Sequence, residues 1–267
     1  MTQEKWLVDE PRTIEIDAPV RRLKVSLIAG RVDIVGHDEP TARIEVHAVS
    51  GKELKIALVD DTLTIDHPQL SWENWIETFR AFRGRARADV SVLVPRAVAV
   101  TFGVVSAQAL ITGLDGDASI ATVSGDVVVD GLSGDIQLNS VSGELAVQSH
   151  RGRVGARSVS GDITAAGEIS RYASDTVSGE VFLDLAGVPD TVGLNSVSGD
   201  ATVRLGAGVP ARYRINTVSG RLQLDDSTVS GVRGSYSGRH GELAGAFVEL
   251  KASSVSGNVS VLHAVTA

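Results

Sequence analysis

The sequence predicts an all-β fold: a β-solenoid (β-helix) of about 18–21 residues per coil, with an irregular β N-terminal part. Three observations predict it. A tetrapeptide, Ser/Thr-Val-Ser-Gly, recurs through the second half of the chain. Its glycines return at a nearly constant interval. Between them, apolar and polar residues alternate with period two, which is the pattern of a strand and not of a helix.

The repeat sets the coil length. Gly125, Gly143, Gly161 and Gly179 are spaced by 18 residues, Gly199 follows after 20 and Gly220 after 21. Gly257 comes 37 residues later, and the stretch around 225–247, rich in Gly and Ser, reads as an insertion covering the C-terminal coils. A weaker series half a period away, Gly116, Gly134 and Gly152, marks a second corner per coil. Val127 and Val129, Leu145 and Val147, Val181 and Leu183 and their equivalents follow each corner with β-branched or aliphatic side chains. Strands this short cannot bury a face alone, but stacked coils share one continuous core. The corner glycines are expected to supply positive φ. Small serines beside them let coils approach at the strand spacing of about 4.8 Å.

Residues 1–102 lack the 18-residue period but still alternate, as in Leu23–Leu27, Arg31–Val35 and Asp89–Val94. They read as an irregular β part and cap, continuous with regular repeats over 103–267. A cap hides strand edges that would otherwise pair with other chains. One segment differs: Trp72, Trp75, Phe79 and Phe82 fall at helix-like spacing, with Arg80 and Arg83 among them. It reads as a short amphipathic helix or hairpin with its aromatic face packed on the solenoid or, alternatively, as a partner or membrane-surface contact.

The composition excludes several functions. The chain has no cysteine, so disulfides, thiolate metal sites and a Cys nucleophile are ruled out. A net charge of −8 argues against nucleic acid as a partner. No apolar run reaches the length of a membrane span and the N-terminus lacks a secretory pattern. The expected location is therefore cytoplasmic, with the cell envelope by a non-classical route as the alternative.

The repeated Thr/Ser-Val-Ser-Gly-Asp/Glu, from Thr122 to Ser254, resembles the bacterial toastrack domains. Ile28-Ala29-Gly30-Arg31-Val32-Asp33-Ile34 and Ala88–Pro95 are similar to that family's lead-in. These are β-strand-repeat proteins of unknown function, often labelled as candidate adhesins. The resemblance implies a single-stranded, right-handed β-solenoid and links to cell-envelope stress systems. It carries over no catalytic residue.

Stacked repeats place equivalent side chains in files. Asp126, Glu144, Asp162, Glu180 and Asp200 follow the corner glycines, a solvated acidic edge and the weak candidate for a cation such as Ca²⁺. Asp117, Asp135, Arg153 and Arg171 change sign along the other corner. If the triplet valine points inward, Thr122/Ser124, Ser140/Ser142, Ser158/Ser160, Thr176/Ser178 and Ser196/Ser198 form two outward hydroxyl columns. These hydroxyls either satisfy the backbone of the turn or make a flat surface for a glycan or an ordered-water lattice. Asn139, Asn195 and Asn216 suggest a stacked amide ladder. No nucleophile elbow, zincin, Walker or dinucleotide motif occurs, and the six histidines are scattered. The expectation is a non-catalytic scaffold, with no cofactor, presenting a repeated surface to a protein or glycan; homo-oligomerisation stays open. The alternatives are a carbohydrate-active enzyme on a β-helix and a cation or ligand sensor using the acidic edge.

Overall fold

The computed structural model describes residues 3–67, 86–229 and 234–264. All regular structure among them is strand, and the chain forms two compact units, residues 1–134 and 135–267. Trp72, Trp75, Phe79, Arg80, Phe82 and Arg83 lie outside the described residues.

The first unit holds β1 (Gln3–Val8), β2 (Arg12–Ile16), β3 (Arg22–Leu27), β4 (Ala29–His37), β5 (Ala42–Ser50) and β6 (Leu54–Val59). It continues with β7 (Thr62–Asp66), β8 (Arg87–Pro95), β9 (Ala99–Val104), β10 (Gln108–Thr112), β11 (Ala118–Thr122) and β12 (Val127–Asp130). Alternating Leu23, Val25 and Leu27 put every second side chain of β3 inside, fully buried. β3 pairs in parallel with β7 on one side and β9 on the other, so Val25 lies between Ile65 and Phe102. β4 likewise lies between β8 and β10, with Ile34 between Val92 and Ile111. The coil that comes first in the chain therefore sits inside the stack. Antiparallel pairs β5–β8, β2–β5, β6–β7 and β1–β6 close the free side.

His67 directly follows β7 and is 1% exposed, and its Nδ1 accepts the Ile28 N–H at 3.4 Å. Burial, and then the charge of Lys52, push its pKa down to about 4.

The second unit holds β13 (Ile136–Ser140), β14 (Leu145–Ser158), β15 (Ile163–Thr176), β16 (Val181–Leu185), β17 (Thr191–Ser196) and β18 (Ala201–Leu205). Then follow β19 (Ala211–Thr217), β20 (Leu222–Leu224), β21 (Ser227–Val229), β22 (Gly234–His240), β23 (Val248–Ser254) and β24 (Val259–His263). In-register parallel pairing makes inward files: Ile136, Val154, Tyr172, Val192, Leu250 and Tyr213 lie side by side on successive coils. All six are buried. Leu145, Ile163, Val181, Ala201, Val259 and Leu222 are the corresponding file on the next face.

Stack order and chain order part company at the C-terminus. β17 and β18 pair with β23 and β24, and those pair in turn with β19 and β20. The final coil is thus inserted between two earlier ones. The gap of 37 residues before Gly257 has this cause, and the insertion supplies edge strands: β22 runs antiparallel to β19, and β21 to β20. Antiparallel edges of this kind end the parallel stack.

The positive φ expected at the corner glycines is corrected. Gly125, Gly161, Gly179, Gly199, Gly220 and Gly257 are not in that region; Gly134 (142°), Gly152 (138°) and Gly167 (139°) at the other corner are. What the corner glycines provide is closeness. A Cβ on Gly161 would lie 2.1 Å from the Gly143 carbonyl oxygen, and on Gly179 2.1 Å from that of Gly161. Any side chain there would push the coils apart.

Candidate functional site

The corner that carries the tetrapeptide is built from its backbone outward. A tight turn leaves peptide groups without strand partners, and buried ones must be satisfied. The first Ser or Thr does this. Ser158 Oγ accepts the Gly161 N–H at 3.0 Å and donates to the Gly161 carbonyl at 2.7 Å. Thr122 does the same for Gly125, and Ser196 for Gly199. Thr122, Ser140, Ser158, Thr176, Thr217 and Ser254 are accordingly only 2–8% exposed. The third residue of each triplet reaches the neighbouring coil: Ser160 Oγ donates to the Val141 carbonyl and Ser178 Oγ to that of Val159.

This arrangement reverses the inward valine. With the first hydroxyl turned in to cap the corner, strand alternation turns the valine out. Both hydroxyl columns serve backbone groups, the first within its own corner and the second on the neighbouring coil. In the second unit Val159, Val177, Val197, Val255 and Val218 are 47–62% exposed. Backbone bonds from Ser178 to Val159, Ser198 to Val177, Ser256 to Val197 and Ser219 to Val255 fix their order. At the parallel-strand spacing the five span about 19 Å. The ladder ends beside a groove of about 730 Å³ lined by Val218, Val255, Asn195, Asn216, Ser235 and Ser253.

The amide ladder is also corrected. The column reads Asn139, Arg157, Asp175, Asn195, Ser253, Asn216, because the inserted coil places Ser253 between the two later asparagines. Asn195 donates to Asp175 at 2.9 Å instead of to another asparagine.

The acidic file is stacked in the second unit. Asp162 accepts the Glu180 N–H at 2.8 Å, and Asp200 accepts the Asn258 N–H at 2.8 Å and its amide at 3.0 Å. Asn258 and then Arg221 continue the column, so it changes from acidic to neutral to basic. Its carboxylates are therefore drawn into coil-to-coil contacts. On the other corner Arg153 forms a two-pronged ion pair with Asp135, and this guanidinium holds the Asp135 carboxyl below the usual carboxylate range.

One constellation was not legible in the sequence. Asp225, His240 and His263 present ligand atoms within 4.8 Å of one another. They come from the turn between β20 and β21, the end of β22 and the end of β24. The separations of 15 and 23 residues match no metal motif, and only the inserted coil brings His263 to the other two. Next to them, burial and then the Asp225 charge push the Tyr213 phenol pKa up.

No curated protein matches the chain significantly. Among solved structures, a candidate lipid-binding protein from Parabacteroides distasonis is similar over 96% of this chain and 95% of its own, at 13% identity and a TM-score of 0.50. A candidate cell adhesion protein from Clostridium sporogenes is 15% identical, covering 96% of this chain and 100% of its own, with a TM-score of 0.28. A candidate adhesin from Bacteroides fragilis is 11% identical over 94% and 97%, with a TM-score of 0.37. The first likeness speaks to fold alone, and the other two carry no argument. Residues 23–262 match the family described as Toastrack DUF4097. On that match, which takes in nearly the whole β-repeat, the chain belongs to the Toastrack family.

Proposed function

We propose that the chain is a non-catalytic β-repeat scaffold that binds a protein partner along its valine ladder. The observation that carries this reading is the outward file Val159, Val177, Val197, Val255 and Val218. Fixed, evenly spaced apolar side chains on a rigid corner suit contact with another protein surface. The adjoining serines donate their hydroxyl hydrogens to backbone carbonyls, so they offer a sugar fewer donors. Acids of the file hold neighbouring peptide N–H groups, which supports an architectural role over a catalytic one.

A second reading, a glycan ligand, is favoured by the groove. It is lined by the polar residues Asn195, Asn216, Ser235 and Ser253. The two readings separate by mutation. Val159→Glu/Val177→Glu/Val197→Glu should leave the melting temperature nearly unchanged and abolish recovery of a protein partner by affinity capture. Equal recovery by wild type and triple variant refutes the ladder. Glycan-array binding that survives the triple variant but is lost in Asn216→Ala would support the groove instead.

A further inference from the structure

We propose that Asp225, His240 and His263 form a binding site for a late first-row divalent cation such as Zn²⁺, which fastens the C-terminal edge strands to the coil stack. The donor geometry comes first. His263 Nδ1 lies 3.0 Å from Asp225 Oδ2, and His240 Nδ1 lies 3.4 Å from the same oxygen. Ligand atoms about 2.0–2.1 Å from a tetrahedral zinc are about 3.3 Å apart, so two edges of such a tetrahedron are nearly in place.

The hydrogen-bond inventory of His263 points the same way. Its Nε2 faces the Val209 carbonyl oxygen at 3.1 Å, and its Nδ1 faces both carboxylate oxygens of Asp225. A neutral imidazole has one N–H. With Nε2–H donating to Val209, Nδ1 is the ring nitrogen left to meet a metal ion beside the Asp225 carboxylate. A histidine ligand whose other nitrogen donates to a backbone carbonyl is the usual outer-shell arrangement of a metal site.

Two of the ligands, Asp225 and His263, are also held in advance. Asp225 takes a left-handed backbone (φ 49°), its N–H donates to the Val261 carbonyl at 2.9 Å, and its Oδ1 accepts the His263 N–H at 2.7 Å. The His240 and His263 rings stack with centroids 3.8 Å apart and planes 14° from parallel; because a ring-nitrogen lone pair lies in the ring plane, the partly exposed His240 ring must turn out of this stack to share one ion with His263. His263 is 7% exposed, whereas His240 and Asp225 are 37% and 35% exposed. The open side leaves room for water or another ligand in a fourth position. Two imidazoles and one carboxylate select zinc-like ions over Ca²⁺ and Mg²⁺, which prefer all-oxygen shells.

The test is calorimetric titration of ZnCl₂ and, separately, CaCl₂ into the full chain without a histidine tag, with thermal melting of the same samples. One Zn²⁺ per chain and a melting temperature that rises with Zn²⁺ but not with Ca²⁺ is the expected result. His240→Ala, on the exposed edge strand, should weaken Zn²⁺ binding at least about 10-fold while leaving the metal-free fold intact by circular dichroism. Asp225→Asn serves as the second variant and should weaken it likewise. Absence of Zn²⁺ binding by the wild type, or unchanged affinity in folded His240→Ala, overturns the proposal. Loss of Zn²⁺ binding leaves the valine-ladder capture unaffected, so the two readings fail separately.

Discussion

The α-carbon of Gly161 packs against the carbonyl oxygen of Gly143 so closely that a methyl group on it would sit 2.1 Å from that oxygen. The same contact recurs from Gly179 to Gly161, Gly199 to Gly179, Gly257 to Gly199 and Gly220 to Gly257. It predicts a graded set of glycine substitutions. Gly161→Ala should destabilise by about 3 kcal/mol, because the Gly143 backbone of the preceding coil must move. Gly187→Ala should cost only about 1 kcal/mol, since Gly187 has φ 73° but nothing within 4 Å of its would-be Cβ. Urea midpoints of the two variants measure the difference. Equal losses would mean that conformation, not coil spacing, fixes the corner glycine.

The two serines of a triplet should behave differently. Ser158 is buried and serves both the N–H and the carbonyl of Gly161. Ser158→Ala leaves those groups unpaired at the cost of about 1–3 kcal/mol. Ser160 is exposed, and water replaces its bond to Val141. Ser160→Ala should therefore change the melting temperature little. A larger loss from Ser160→Ala would contradict the capping role of the first hydroxyl.

Removing residues 248–267 should unfold the second unit rather than shorten it. In a stack built in chain order, the last coil can be deleted with loss of one interface. Here β23 and β24 supply the parallel partners of β17, β18, β19 and β20. Deletion would leave four strand edges open. Circular dichroism and limited proteolysis read the outcome, and a truncated chain that melts cooperatively with its remaining coils protected would refute the insertion.

Acid should weaken the first unit through His67. Its folded pKa, about 4, lies below the ordinary 6.5 because burial opposes the charged ring. The unfolded chain then binds a proton that the folded chain does not. The stabilisation from neutral His67 is complete above about pH 6.5 and is lost progressively as pH falls to about 4, amounting to about 3 kcal/mol. His67→Asn should flatten the fall in melting temperature between pH 7 and 4. An unchanged slope would exclude His67 as its source.

Much of the architecture was legible because it depends on periodicity. The interval from Gly125 to Gly179 and the alternation around it give coil length, strand positions and the identity of inward residues such as Val127, Leu145 and Val181. Those are local consequences of chain geometry. The orientation of the triplet was not legible, because Thr-Val-Ser alternates equally well with either face inside. The need to pair the Gly161 peptide decided it, turning Ser158 in and Val159 out.

The sequence by itself determined that this protein stacks short β-coils and that glycine must recur where they turn. The tertiary structure decided the order in which those coils stack. Placing Val259 between Ala201 and Leu222 buries all three, although they are far apart in the chain. Parallel pairing follows complementary edges and shared burial rather than proximity in sequence. That one insertion also separates Asn195 from Asn216 and carries His263 to Asp225 and His240. No spacing in a linear repeat encodes such a meeting, because it depends on which coil edge the last strand pair joins.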